Sequence, residues 1–98
     1  MAATPVPLLT LGPLGTATAH LAERLRQSVT VIRSRAGGGA GTIWREDGLV
    51  ITNHHVVPDD RAEVMTWDDR VFPATVESRD PEHDLAALRI KAEGLPAV

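Results

Sequence analysis

Gly48-Leu49-Val50-Ile51-Thr52-Asn53-His54-His55-Val56-Val57 is the stretch on which the reading of this chain turns. Leu49 to Asn53 is a short apolar run rich in β-branched residues, which predicts a strand. The unbroken run predicts burial on both faces. Glu46-Asp47-Gly48 in front of it is a hairpin signal, because Asp-Gly accepts the positive φ values that tight hairpins need. Behind it, Asn53-His54-His55 puts polar, proton-exchanging side chains at the end of a buried strand. An imidazole takes up and returns a proton near neutral pH, because its pKa lies close to that range.

Working toward the N-terminus, Thr42-Ile43-Trp44-Arg45 predicts a second strand. Gly37-Gly38-Gly39-Ala40-Gly41 predicts a flexible turn where backbones pass closely. Val29 to Ser34 alternates and is rich in β-branched residues, which predicts the first strand. Before it, residues 18–27 predict a short helix with Leu21, Ala22 and Leu25 on one face and His20 on the exposed side. Residues 1–17, interrupted by Pro5, Pro7 and Pro13, predict a loose arm.

Toward the C-terminus, Pro58-Asp59-Asp60 breaks the chain and Ala62 to Trp67 predicts a fourth strand. Asp68-Asp69 turns it back into a fifth, Arg70 to Ser78, in which Pro73 marks an edge or a bulge. Arg79 to His83 is a loop, Leu85 to Ile90 the last strand, and residues 93–98 a connector. Six short strands joined by short turns over residues 28–92 predict an all-β, six-stranded antiparallel barrel with a short N-terminal helix. Trp44 and Trp67 are expected in its core or rim.

Composition narrows the function classes. The 98 residues hold one small domain, 43% hydrophobic and 23% charged, with a net charge of -3. Acidity and 3% aromatic residues count against nucleic acid as a partner. Arg24, Arg26, Arg33 and Arg35 read as a solvated face. No cysteine is present, so apolar burial alone must hold the fold. No apolar run is long enough for a membrane span, and Met1 to Leu9 lacks the positive start of a secretory signal. No export signal is therefore expected; the compartment stays open, with the cytoplasm as the default.

Two motifs carry the chemistry. Thr52-Asn53-His54-His55-Val56-Val57 is one, and Asp80-Pro81-Glu82-His83-Asp84-Leu85-Ala86 the other. Here the chain resembles the trypsin-like serine proteases, and within them the HtrA type, over roughly Ser28 to Lys91. Gly39-Ala40-Gly41 is similar to that group's Gly-Ser-Gly segment, with alanine in the middle. The resemblance implies that His55, not His54, is a general base and that Asp84 orients it. Such an aspartate accepts from Nδ1–H and leaves Nε2 facing the nucleophile; losing its charge costs roughly 10⁴ in kcat in well-studied triads. The group's Gly-x-Ser-Gly-Gly turn, which carries the nucleophile and the oxyanion hole, is missing. Ser28, Ser34 and Ser78 are the only serines, and none is flanked by glycine. The resemblance therefore implies the first barrel of a serine endopeptidase, inactive alone, whose connector leads to an absent second barrel. No cofactor or metal is implied, and the partner is a polypeptide substrate once a second barrel completes the cleft.

Other readings stand beside this one. His54, His55, His83 and Asp84 could ligate a metal, but neighbouring residues at a strand end point to opposite sides. His54 then packs or faces solvent, and His83 has no specific role. Asp84 alone reads as a turn residue at a strand start. The glycine run lacks the Lys-Ser/Thr ending of a phosphate loop. A non-catalytic binding or pairing module, self-associating or taking a partner chain through its open cleft side, is the alternative function. An unrelated small barrel binding nucleic acid or peptide is a weaker third.

Overall fold

A computed structural model describes residues 13–98, so most of the arm expected over 1–17 lies outside the described residues. Helix α1 spans Pro13–Ser28 and starts earlier than the expected Thr18. Proline suits a first helical turn, since its fixed φ is helical and its missing N–H would go unused there. The last turns are tied by Arg26 and Gln27, which both donate to Glu23. The helix stops where Val29-Thr30-Val31-Ile32 begins, because β-branched side chains crowd a helical turn and suit a pleat. Leu21 and Leu25 remain exposed on α1, beside Ala97 and Val98.

Six strands follow: β1 (Val29–Ser34), β2 (Gly37–Arg45), β3 (Leu49–Thr52), β4 (Arg61–Met65), β5 (Val71–Asp80) and β6 (Leu85–Ile90). They close into an antiparallel barrel in the order β1-β2-β3-β6-β5-β4. Closure leaves no free sheet edge. The core is built from alternate residues: Thr30 and Ile32 of β1, Val50 and Thr52 of β3, and Ala86, Leu88 and Ile90 of β6. Leu49 and Ile51 are only half-buried, so β3 is sealed on one face rather than on both.

The glycine run corrects the sequence reading. It is not a turn; it is the first half of β2, paired with β1 from Gly37↔Ser34 to Gly41↔Thr30. The reversal is made by Arg35 and Ala36 instead. A side chain at Gly41 would meet Ile32 Cδ1 and Thr30 Oγ1, both at 2.9 Å, so this glycine leaves room for the core.

Two bulges decide which side chains face inward. The register between β2 and β3 slips between Ile43 and Arg45, and the extra residue, Trp44, is exposed. Trp67, in the turn after β4, is exposed too, so neither tryptophan is a core residue. The second slip lies between Val76 and Ser78. Before it, Phe72, Ala74 and Val76 are the more buried residues of β5; after it, Arg79 is. Pro73 sits one residue before β5 starts to pair with β6, where its missing N–H costs no ladder bond on that side.

The segment after β6 is docked rather than free. Leu95 is buried in the core, its N–H donates to Glu46 O at 3.2 Å, and Val98 N–H donates to Ile43 O at 3.1 Å.

Candidate functional site: a histidine and an aspartate at one barrel mouth

β3 and β6 are neighbours, with Thr52 opposite Ala86. The end of β3 therefore lies beside the start of β6, and this brings together motifs far apart in sequence. After Thr52 the chain winds into a 3₁₀ turn, His54–Val56. Val56 and Val57 are buried and anchor this turn to the barrel. Gly39 makes room for it: a Cβ there would meet Val56 Cγ2 at 2.7 Å. Ser34 adds a hydroxyl donor to Val56 O at 2.5 Å.

Asp84 ends a second 3₁₀ turn, Pro81–His83. Asp80 opens that turn, accepting from His83 N–H at 3.3 Å and meeting His83 Nδ1 at 2.9 Å. His83 thus has a local role that its sequence position did not suggest. Asp84 itself is left-handed, with φ 53° and ψ 47°, a conformation that Asp accepts better than most residues.

Four hydrogen bonds join Asp84 to the histidine turn. Its carbonyl accepts from His54 N–H and from Asn53 Nδ2, each at 3.1 Å. Its carboxylate accepts from His55 N–H at 2.9 Å through Oδ1 and meets His55 Nδ1 at 2.6 Å through Oδ2. An ionised carboxylate only accepts, so Nδ1 carries the hydrogen and Nε2 is left with its lone pair. The His55 backbone N–H is the main influence holding the Asp84 carboxyl below its ordinary value of 3.8; the His55 ring adds to it and partial burial opposes it. The pair is open to water: the side chains of His55 and Asp84 are 71% and 44% exposed.

His54 points elsewhere. Its Nδ1 lies 3.2 Å from Arg79 Nη1. A guanidinium only donates, so this nitrogen is unprotonated and accepts from Arg79. Among the described residues no cluster suited to a metal ion occurs. His20 is exposed on α1. Ser28 and Ser34 spend their hydroxyls on the carbonyls of Leu25 and Val56.

Asn53 and Arg79 were not singled out in the sequence. Asn53 lies inside the histidine motif, where its type gives no sign that it reaches across to Asp84. Arg79 follows the bulge, and simple alternation misplaces it.

Residues 39–98 match the family model described as "Trypsin-like peptidase domain". The chain belongs to the trypsin-like peptidase family. Within that family it is of the HtrA type. It is 44% identical over 66 residues to "Serine protease HTRA2, mitochondrial" of Drosophila pseudoobscura pseudoobscura, covering 64% of this chain and 16% of that one. The protein of the same name from Drosophila willistoni is 42% identical over 66 residues, with 64% and 15% covered. The crystal structure of the serine endoprotease from Yersinia pestis superposes on 98% of the chain with a TM-score of 0.77 and 26% identity. The match takes in 34% of that protein. This trypsin-like chain thus spans about a sixth of the length of its HTRA2 relatives and a third of the Yersinia protein.

Proposed function

We propose that this trypsin-like barrel supplies the histidine and aspartate of a serine endopeptidase, with the serine contributed by a second barrel. His55 is the general base that takes the serine proton and then the acid that returns it to the leaving amine; Asp84 sets its tautomer and stabilises the imidazolium. The observation that carries this reading is the 2.6 Å contact of His55 Nδ1 with Asp84 Oδ2. It leaves Nε2 as the nitrogen able to meet a nucleophile.

Exposure of the pair supports a missing cover. Val29, Ile51, Asn53 and Leu85 line a shallow cavity of about 360 Å³ beside it, and Val29 and Leu85 are exposed. A second barrel seated there would exclude water, and both the hydrogen bond and the ion pair formed on protonation strengthen in the lower dielectric. The same apolar flank favours the alternative, a non-catalytic module that pairs with another polypeptide or with itself.

The purified chain is expected to resist labelling by a serine-directed phosphonate and to leave casein intact. Labelling at Ser28, Ser34 or Ser78 would place the nucleophile within this barrel and overturn that part of the reading. In a protease completed by its second barrel, His55→Ala and Asp84→Asn each remove most turnover, roughly 10⁴ in kcat for the aspartate change, while the fold persists. Undiminished turnover in either variant leaves the pairing-module reading in its place.

A further inference from the structure

Asp84 holds one side of the His55 turn, and a second residue of the same hairpin holds the other. Arg79 Nη1 donates to Val57 O at 2.6 Å and lies 3.2 Å from His54 Nδ1. Arg79 Nη2 donates to Asp59 O at 2.8 Å. Asp60 Oδ1 is 3.9 Å away, a long ion pair. The side chain is 22% exposed, against 33% for Arg89 of the same hairpin and 72% for Arg35, which pairs with Asp59. The β5 bulge makes this possible: were the strand to alternate regularly past Val76, Ser78 would take the inward position that Arg79 occupies.

We propose that Arg79 is a positioning residue for His55, acting through the backbone of residues 54–59; the inference rests on the proposed roles of His55 and Asp84. The His55 ring has 2.6 Å contact with a carboxylate on a surface turn, where water competes for both groups. Its geometry therefore depends on how firmly the turn itself is held. Asp84 fixes the N–H groups of His54 and His55, and Arg79 fixes the His54 ring and the carbonyls of Val57 and Asp59. The two anchors flank the Pro81–His83 turn, so one rigid hairpin sets both ends of the histidine segment. A planar fork reaches both carbonyls and the imidazole from two nitrogens at once; a lysine ammonium has three N–H donors, but all on one nitrogen.

The arrangement has a signature. Adjacent histidines carry opposite tautomers: His55 holds its hydrogen on Nδ1 for Asp84, and His54 holds its own on Nε2 because Nδ1 faces Arg79. Long-range ¹⁵N NMR of the neutral rings in this chain reads both. In Arg79→Met the barrel amides keep their shifts, while the Nδ1–H share of His55 falls toward the mixture of a free imidazole. Arg79→Lys, which keeps the stem and the charge, falls between. A folded Arg79→Met with an unchanged His55 tautomer overturns the inference; should that variant not fold, an unchanged His55 in Arg79→Lys does the same. Asp84→Asn is the parallel control. A wild-type His55 without the Nδ1–H form, or one that keeps it in Asp84→Asn, overturns the proposed function itself and this inference with it.

Discussion

Both hydrogens that His55 offers on one side, the backbone N–H and the ring Nδ1–H, end on the two oxygens of the Asp84 carboxylate, at 2.9 and 2.6 Å. One side chain thereby sets the turn and the ring together. A residue that only oriented the imidazole would touch the ring alone; Asp84 also accepts from the backbone of the turn.

Replacement of Asp84 should reveal its backbone role. Asparagine and glycine accept the left-handed conformation at this position, and alanine does not. Asp84→Asn and Asp84→Gly are expected to unfold in urea at higher midpoints than Asp84→Ala. Equal midpoints for the glycine and alanine variants would show that the left-handed backbone carries no cost here.

Acid should weaken the fold through four carboxylates, one of them Glu23 of α1, held low by the Arg26 guanidinium. Asp84 is held below 3.8 chiefly by the His55 N–H, Asp59 by the Arg35 guanidinium, and Asp68 by the Thr66 hydroxyl. A carboxyl whose folded pKa is depressed stabilises the native state fully above its unfolded pKa. That stabilisation is lost as pH falls through the lower folded pKa. Thermal midpoints are therefore expected to fall below about pH 4, and to fall less steeply in Asp84→Asn. An acid limb unchanged by Asp84→Asn would exclude Asp84 from it.

Gly48 should tolerate no side chain. Its φ is 108°, and a Cβ would come within 2.1 Å of Ile90 O, a backbone atom that cannot move aside. The same glycine accepts Ile90 N–H at 2.9 Å, so any shift of the turn also loosens β6. Gly48→Ala is expected to cost about 3 kcal/mol in chemical denaturation; a loss under about 1 kcal/mol would mean that the turn yields freely.

Thr30 should gain from losing its hydroxyl. It is buried, and Oγ1 has no hydrogen-bond partner among the described residues. Thr30→Val keeps the shape and removes the unmet polar atom, so a gain of about 1 kcal/mol is expected in urea unfolding. Destabilisation would show that the hydroxyl is satisfied, for example by a water within the barrel.

Much of this was legible in the order of residues. Six β-rich segments and the turns at Glu46-Asp47-Gly48 and Asp68-Asp69 stand in the chain as written, because strand periodicity and turn chemistry are local. The helix bounds were less legible, since Gly15 and Thr16 are weak helix formers that the structure nonetheless includes. The glycines of β2 read as a turn because glycine marks turns by type. What keeps them in a strand is a neighbour: Val56 lies where a side chain at Gly39 would go, and Ile32 and Thr30 where one at Gly41 would go.

By itself, then, the sequence determined that the chain is a β-barrel, and its resemblance to the trypsin-like proteases pointed to His55 and Asp84, since both rest on short patterns. Only the tertiary structure decided that β3 and β6 lie side by side, that Asn53 reaches Asp84, that a bulge turns Trp44 outward, and that another turns Arg79 toward the His55 loop. The reason is one of parity and closure. A single extra residue in a strand exchanges its two faces beyond that point, and which strands become neighbours is settled only when the sheet closes on itself.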